Sequence, residues 1–149
     1  MANVKFKGGK EFKKLLDTAL KNGKERVEVG FFEGARYING TQVAHVAAIH
    51  QFGAPRAGIP ERPYFSNANR TVKPKLLRVL VNNVDTKNMV VDQNIADKLG
   101  LVFSDELKAA ITRLRTPQNK PQTIKAKGSS NPLIDTGLMR QSATWEVIA

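Results

Sequence analysis

Near its end the chain carries Leu133-Ile134-Asp135-Thr136-Gly137, an Asp-Thr-Gly triplet behind two apolar residues. Aspartic proteases use this local pattern to hold one of two aspartates that share a proton across a water. Asp135 stands only 14 residues from the last residue, and a protease half needs a further strand, flap and closing loop after it. The triplet therefore reads as punctuation: Asp135 caps a short helical turn by accepting from its free N–H groups, and Gly137 supplies the turn.

The other reactive residue types are equally unpromising for catalysis. His45 and His50 are five apart, which misses the i, i+4 spacing that puts two imidazoles on one helical face for zinc, and no carboxylate lies between them. His50 lines up with Val43, Val46 and Ala47 and reads as a packed, hydrogen-bonded histidine at a helix end; His45 reads as solvated or interfacial. Ser104, Ser129 and Ser142 sit in no nucleophile elbow, although spacing alone leaves a scattered triad open. Gly8-Gly9-Lys10 lacks the flanking strand and spacing of a phosphate loop. The chain has no cysteine, which removes disulfides, thiolate metal sites and a cysteine nucleophile. The expectation is a protein that is not an enzyme, with no cofactor and no metal.

Charge is the stronger chemical signal. The formal net charge is +11, an excess that favours nucleic acid, acidic protein surfaces or anionic membranes as neighbours. Between Leu107 and Ile134 there is no acid, while Lys108, Arg113, Arg115, Lys120, Lys125 and Lys127 are all present. Phosphate contacts by these groups would make binding steeply salt-dependent. The segment holds no aromatic residue for base stacking and no recognisable reading helix. Two readings follow: a basic arm that docks on an acidic neighbour, or a direct nucleic-acid contact.

These residues need elements to position them. Phe12, Leu15, Leu16, Ala19 and Leu20 follow helical spacing, closed by Asn22-Gly23. Arg26-Val27-Glu28-Val29-Gly30-Phe31 alternates as a half-buried strand does, and Asn39-Gly40 marks a turn. Thr41 can cap a helix that carries Val43, Val46, Ala47 and His50 and stops at Phe52-Gly53. Pro55, Gly58 and Pro60 make 54–62 an extended loop, and Pro63 suits the first turn of a third helix, which Pro74 must enter or split. Ile95, Leu99, Val102, Phe103, Leu107, Ala110, Ile111 and Leu114 trace the longest helical stripe, with Asp92, Asp97, Asp105 and Glu106 beside it and Gly100 weakening or bending it. Residues 116–131, rich in proline, glycine, serine and lysine, read as a flexible basic arm that only a partner orders. Ala143 to Ile148 alternates as a closing strand. No apolar run reaches the roughly 20 residues of a membrane span, and the N-terminus lacks the apolar stretch of a signal peptide.

Two short patterns, taken in order, resemble a known family. Ala48-Ile49-His50-Gln51-Phe52-Gly53 leads into Ile59-Pro60-Glu61-Arg62-Pro63-Tyr64-Phe65, and Pro132-Leu133-Ile134-Asp135-Thr136-Gly137-Leu138-Met139-Arg140 follows near the end. Together they resemble the tail-completion, or minor tail component, proteins of tailed bacteriophages that act in virion morphogenesis. The likeness covers roughly 27–65 and 131–147; that family often has Glu where this chain has Gln51 and a β-branched residue where it has Ala143.

The resemblance implies a single α+β domain over 1–149, with a small, mostly antiparallel sheet packed with several helices and a long basic loop near the C-terminus. It implies His50, Gly53, Arg62, Pro63, Asp135 and Gly137 as the structural motif. It further implies a homo-oligomer, a hexameric ring at the neck or head-proximal end of the tail, assembled in the host bacterial cytoplasm. Its neighbours there would be a connector or stopper, a tail terminator and the tail tube, with non-specific DNA contact possible and no membrane. The alternative is a basic nucleic-acid-binding accessory protein.

Overall fold

Val27 and Val29 alternate with Arg26 and Glu28, and a strand is the conformation that sends such a series to opposite faces. A computed structural model describes residues 17, 18, 21, 25–84 and 90–148. Strand β1 (Arg26–Gly30) pairs antiparallel with the closing strand β2 (Thr144–Ile148), so that Val29 faces Trp145 and Val27 faces Val147. Between them run α1 (Val43–Phe52), a 3-10 turn (Pro55–Ala57), α2 (Tyr64–Asn83), α3 (Gln93–Arg113), α4 (Pro121–Lys127) and α5 (Leu138–Ser142). The protein is a small α+β domain. The expected first helix lies mainly outside the described residues, among which Asp17, Thr18 and Lys21 are helical.

Helix α3 is the central element, packed against α2, both strands and α5. Asp92 caps it by accepting from the Ile95 N–H at 2.8 Å. Its face supplies Leu107, Ala110 and Ile111 to a core completed by Leu114, by Val43 and Ala47 of α1, by Tyr64 and Ala68 of α2, and by Leu133, Met139 and Ala143. The Tyr64 hydroxyl, buried with its ring, donates to the Ala47 carbonyl at 2.9 Å, so the polar tip of the largest core residue is satisfied. Phe31 meets the Tyr64 ring edge-on at 6.3 Å.

Helix α2 runs unbroken past Pro74. Proline removes one bond to the carbonyl four residues back, and both Pro74 and Arg70 are exposed, which leaves that carbonyl on the solvent side. Pro63 precedes the helix and offers no side-chain cap; the Gln51 amide oxygen of α1 accepts from the Phe65 N–H at 2.8 Å, while its nitrogen donates to Ser66 Oγ at 3.0 Å. Gln51 thus caps a helix from outside it.

Three expectations are corrected. The 116–131 segment is no free arm: Pro121 opens α4, Gly128 closes it in the left-handed region at φ 67°, and the flanks are tied to the domain by hydrogen bonds described below. Asp135 does not cap α5; that helix follows Gly137 at φ 82°, and Thr136 Oγ1 is the acceptor for the Leu138 N–H at 3.3 Å. Glu106 does not lie beside the apolar stripe but within it, 2% exposed.

Gly100 does not break α3. A Cβ there would fall 2.2 Å from Trp145 Cδ1 and 2.9 Å from Trp145 Cβ, so the glycine is the seat of the indole. Gly100→Ala should therefore lower the melting temperature, because overpacking costs about 1–3 kcal/mol, more than the roughly 1 kcal/mol that alanine adds to a helix. Trp145 is the only tryptophan, and its fluorescence should shift in the same variant; an unchanged melting curve and emission would contradict this packing.

Candidate functional site

Gly53 ends α1 at φ 74°, and a Cβ at that position would lie 2.8 Å from the Glu61 nitrogen. The close approach that glycine permits lets the chain double back, with a bridge between Ala54 and Ile59 and a hydrogen bond from the Arg62 N–H to the His50 carbonyl at 2.8 Å. Arg62 is thereby delivered beside the helix it left. Its side chain is 3% exposed, which for a guanidinium demands a full set of acceptors.

Each of its three nitrogens has one, and all three acceptors are uncharged. Nε donates to the Pro117 carbonyl at 3.1 Å, Nη2 donates to Asn119 Oδ1 at 2.9 Å, and Nη1 lies 3.2 Å from His50 Nδ1. Since arginine only donates, His50 Nδ1 is the acceptor and its proton sits on Nε2. Burial, and then the positive charges of Arg62 and Lys127, hold the His50 pKa down at about 4, so the ring is neutral at physiological pH. Arg62 thus joins the first motif to the start of the supposed arm.

The second motif closes the same region. A cavity of about 300 Å³ is bordered by Tyr37, His50, Asn119, Lys127, Asp135 and Gly137, among others. Lys127 donates to the carbonyls of Asn131 at 2.6 Å and Ile134 at 2.8 Å, and Asn131 Nδ2 donates to the Thr112 carbonyl at 3.0 Å. Burial lowers the Lys127 pKa, Asp135 opposes that, and Arg62 reinforces it. Burial and the Asp135 charge both raise Tyr37. Asp135 is an exposed counter-charge near Lys127, the work it does in place of capping. Thr41, Thr123 and Thr136 border the cavity, and none is hydrogen-bonded to His50 among the described residues. Among those residues, too, no three His, Asp or Glu side chains gather as a metal site, and no helix is long and apolar enough to cross a membrane.

The six cations expected to act together are divided. Lys127 is turned inward as described; Lys120 reaches toward Gly58; Lys125 is exposed on α4; and Arg115 folds back onto the carbonyls of Thr112 and Leu114. Only Lys108 and Arg113 share a surface, a cleft of about 530 Å³ whose lining also includes Thr112 and Arg140. Arg113 is held by Glu106, whose carboxylate also accepts from Lys75 at 2.5 Å and from Thr71 at 2.8 Å. Burial alone would raise Glu106, but the bonds from Lys75, Arg113 and Thr71 outweigh it and hold the acid at about 2.

Glu106, Lys75, Asn119 and Arg140 were not singled out from the sequence as site residues. Glu106 had a signal: it is three residues after Phe103 and four before Ala110, inside the stripe rather than beside it. The others had none, because Lys75 and Asn119 meet partners far away in the chain and Arg140 joins its cleft only in the fold. Comparison of the chain with protein-family models, with curated proteins and with solved structures finds no match in any of the three.

Two outcomes test this site. A histidine whose folded pKa is depressed from 6.5 to about 4 contributes stability that is complete above its unfolded pKa and is lost as pH falls through that window. Urea unfolding should therefore show a loss of about 1 kcal/mol between neutral and mildly acid pH, and His50→Gln should flatten the profile there. Arg62→Lys should cost about 3 kcal/mol, since one ammonium cannot serve acceptors spread as a guanidinium spreads them; a variant within experimental error of the parent would remove Arg62 from this role.

Proposed function

We propose that this protein is a structural virion component of a tailed phage, acting in tail completion or head–tail joining at the neck as a subunit of an oligomeric ring. One observation carries the reading. Within the two motifs that suggested it, His50, Gln51, Gly53, Arg62, Tyr64, Leu133, Gly137 and Met139 all have internal work, as acceptors, caps, turns or core. Phe52 is the large apolar side chain of these motifs that stays in water: this aromatic of the first motif is 74% exposed at the end of α1. A large apolar ring held in water on a rigid frame is what a protein interface uses as an anchor.

The rest of the site agrees with assembly rather than turnover. The residues with chemical potential are spent on chain geometry: His50 accepts from a structural arginine, and Lys127 gathers carbonyls. A ring of identical subunits with further tail and neck partners would cover Phe52 with a neighbour's surface.

Phe52→Ser is the discriminating variant. It should leave the melting temperature of the isolated protein unchanged or slightly raised, since no core contact is lost. In a phage carrying the substitution, the protein should fail to enter particles, and electron microscopy should show heads and tails unjoined or tails incomplete. Normal, infective virions containing the variant at full occupancy would overturn the proposal.

A further inference from the structure

Two stretches of this chain contain no acid at all, residues 62–84 and 107–134. In the sequence they are separated; in the fold they lie side by side. Arg62 bonds Pro117 and Asn119 at one end, Thr71 and Lys75 bond Glu106 further along, and Lys98 bonds Asn83 at the far end of the helix pair. This antiparallel arrangement of α2 against α3 brings Lys75 of the first stretch and Arg113 of the second together on one carboxylate. Of the two acids at their border, Glu106 is buried and shared by Lys75 and Arg113, so it orients these cations without projecting negative charge, while Asp105 is exposed and lies 3.9 Å from Lys108 Nζ, offsetting part of that one charge.

The surface around Arg113 has a concave part. The cleft of about 530 Å³ is lined by Lys108, Ala109, Thr112, Arg113, Arg140 and Gln141, three cations, two polar residues, one methyl group and no acid. Arg140 forms no ion pair among the described residues and is exposed. We infer that the surface formed by Lys75, Lys108, Arg113 and Arg140 binds the phosphate backbone of double-stranded nucleic acid, without regard to base sequence.

The lining decides among polyanions. An acidic protein partner would ordinarily be anchored by apolar or aromatic side chains at the centre of the contact, and here the apolar contribution is Ala109. Single strands are gripped by aromatic platforms on which bases stack, and no aromatic borders the cleft. What remains is a set of cationic donors, two of them guanidinium forks that match phosphate oxygens. Positioning of Arg113 by Glu106 lowers the ordering cost of one fork before any phosphate arrives. The surface is not the 116–131 segment, of which it uses no residue. It also stands apart from the virion reading, which is tested by particle assembly.

The test is fluorescence anisotropy of a short labelled DNA duplex with the whole protein, titrated at several salt concentrations. Each phosphate contact contributes about 0.9 to the slope of log K against log salt. Lys108→Gln with Arg140→Gln should weaken binding and make the slope shallower by about 2, while Lys108→Arg with Arg140→Lys should retain the parental slope and Arg56→Gln, on the 3-10 turn, should change it little. The inference is overturned if the neutralised double variant keeps the parental affinity and slope, or if Arg56→Gln weakens binding as much. Displacement of the duplex by polyglutamate at equal charge concentration would assign the surface to an acidic protein and also overturn it.

Discussion

The fold turns on one buried guanidinium. Arg62 sits among His50, Pro117 and Asn119 with no carboxylate bonded to it among the described residues, and this fixes several things at once. Neutral acceptors bond to it but do not cancel its charge, so a second positive charge on the His50 ring in contact with it is disfavoured. His50 is accordingly neutral, and its tautomer is set. The chain must also reverse sharply at Gly53 for Arg62 to reach the end of α1. The 117–119 stretch must remain at its place, because it supplies two of the three acceptors. A buried, partnered charge is a poor source of net stability but a strong one of geometry, since wrong arrangements leave it unpaired.

A second constraint governs the other side of α3. Gly100 admits the Trp145 indole, whose Nε1 donates to Asp97 at 3.3 Å, and Glu106 draws α2 onto the same helix through Thr71 and Lys75. These contacts set the sheet on one flank of α3 and α2 on another. Lys75 of α2 and Arg113 of the last turn of α3 are thereby held side by side. The seam that buries Glu106 takes one acid off this surface and leaves Asp105 exposed beside Lys108.

The proposed assembly contact and the proposed anion surface draw on different parts of this domain. The first rests on Phe52, at the corner that Gly53 and Arg62 build; the second rests on the α3 and α5 cleft. If both proposals hold, the two surfaces are far enough apart in kind, one apolar and one cationic, to serve a protein neighbour and a nucleic acid together. Neither surface requires a reacting group, and the few ionisable residues with displaced pKa values are displaced by structural bonds and burial.

Much of the element plan was legible in the residues. The alternation of Arg26 to Gly30 and of Thr144 to Ile148, the apolar stripe ending in Ile111 and Leu114, and the stop at Gly53 each depend on near neighbours in the chain, and local periodicity and φ preference are local properties. Composition likewise determined the charge excess and the absence of thiol chemistry. Tertiary structure alone decided what the polar residues do. Residues 116–131 looked free because they carry little to bury, yet they are ordered by donors from Arg62 and by the bond from Asn131 to Thr112. Asp135 had the right type for a cap, but Thr136 accepts in its place and Asp135 faces Lys127. Glu106 became a buried hub only when Thr71, Lys75 and Arg113 converged on it. Hydrogen bonds and ion pairs join groups by distance in space, on which spacing along the chain is silent, and the meeting of two acid-free stretches at Glu106 is of that kind.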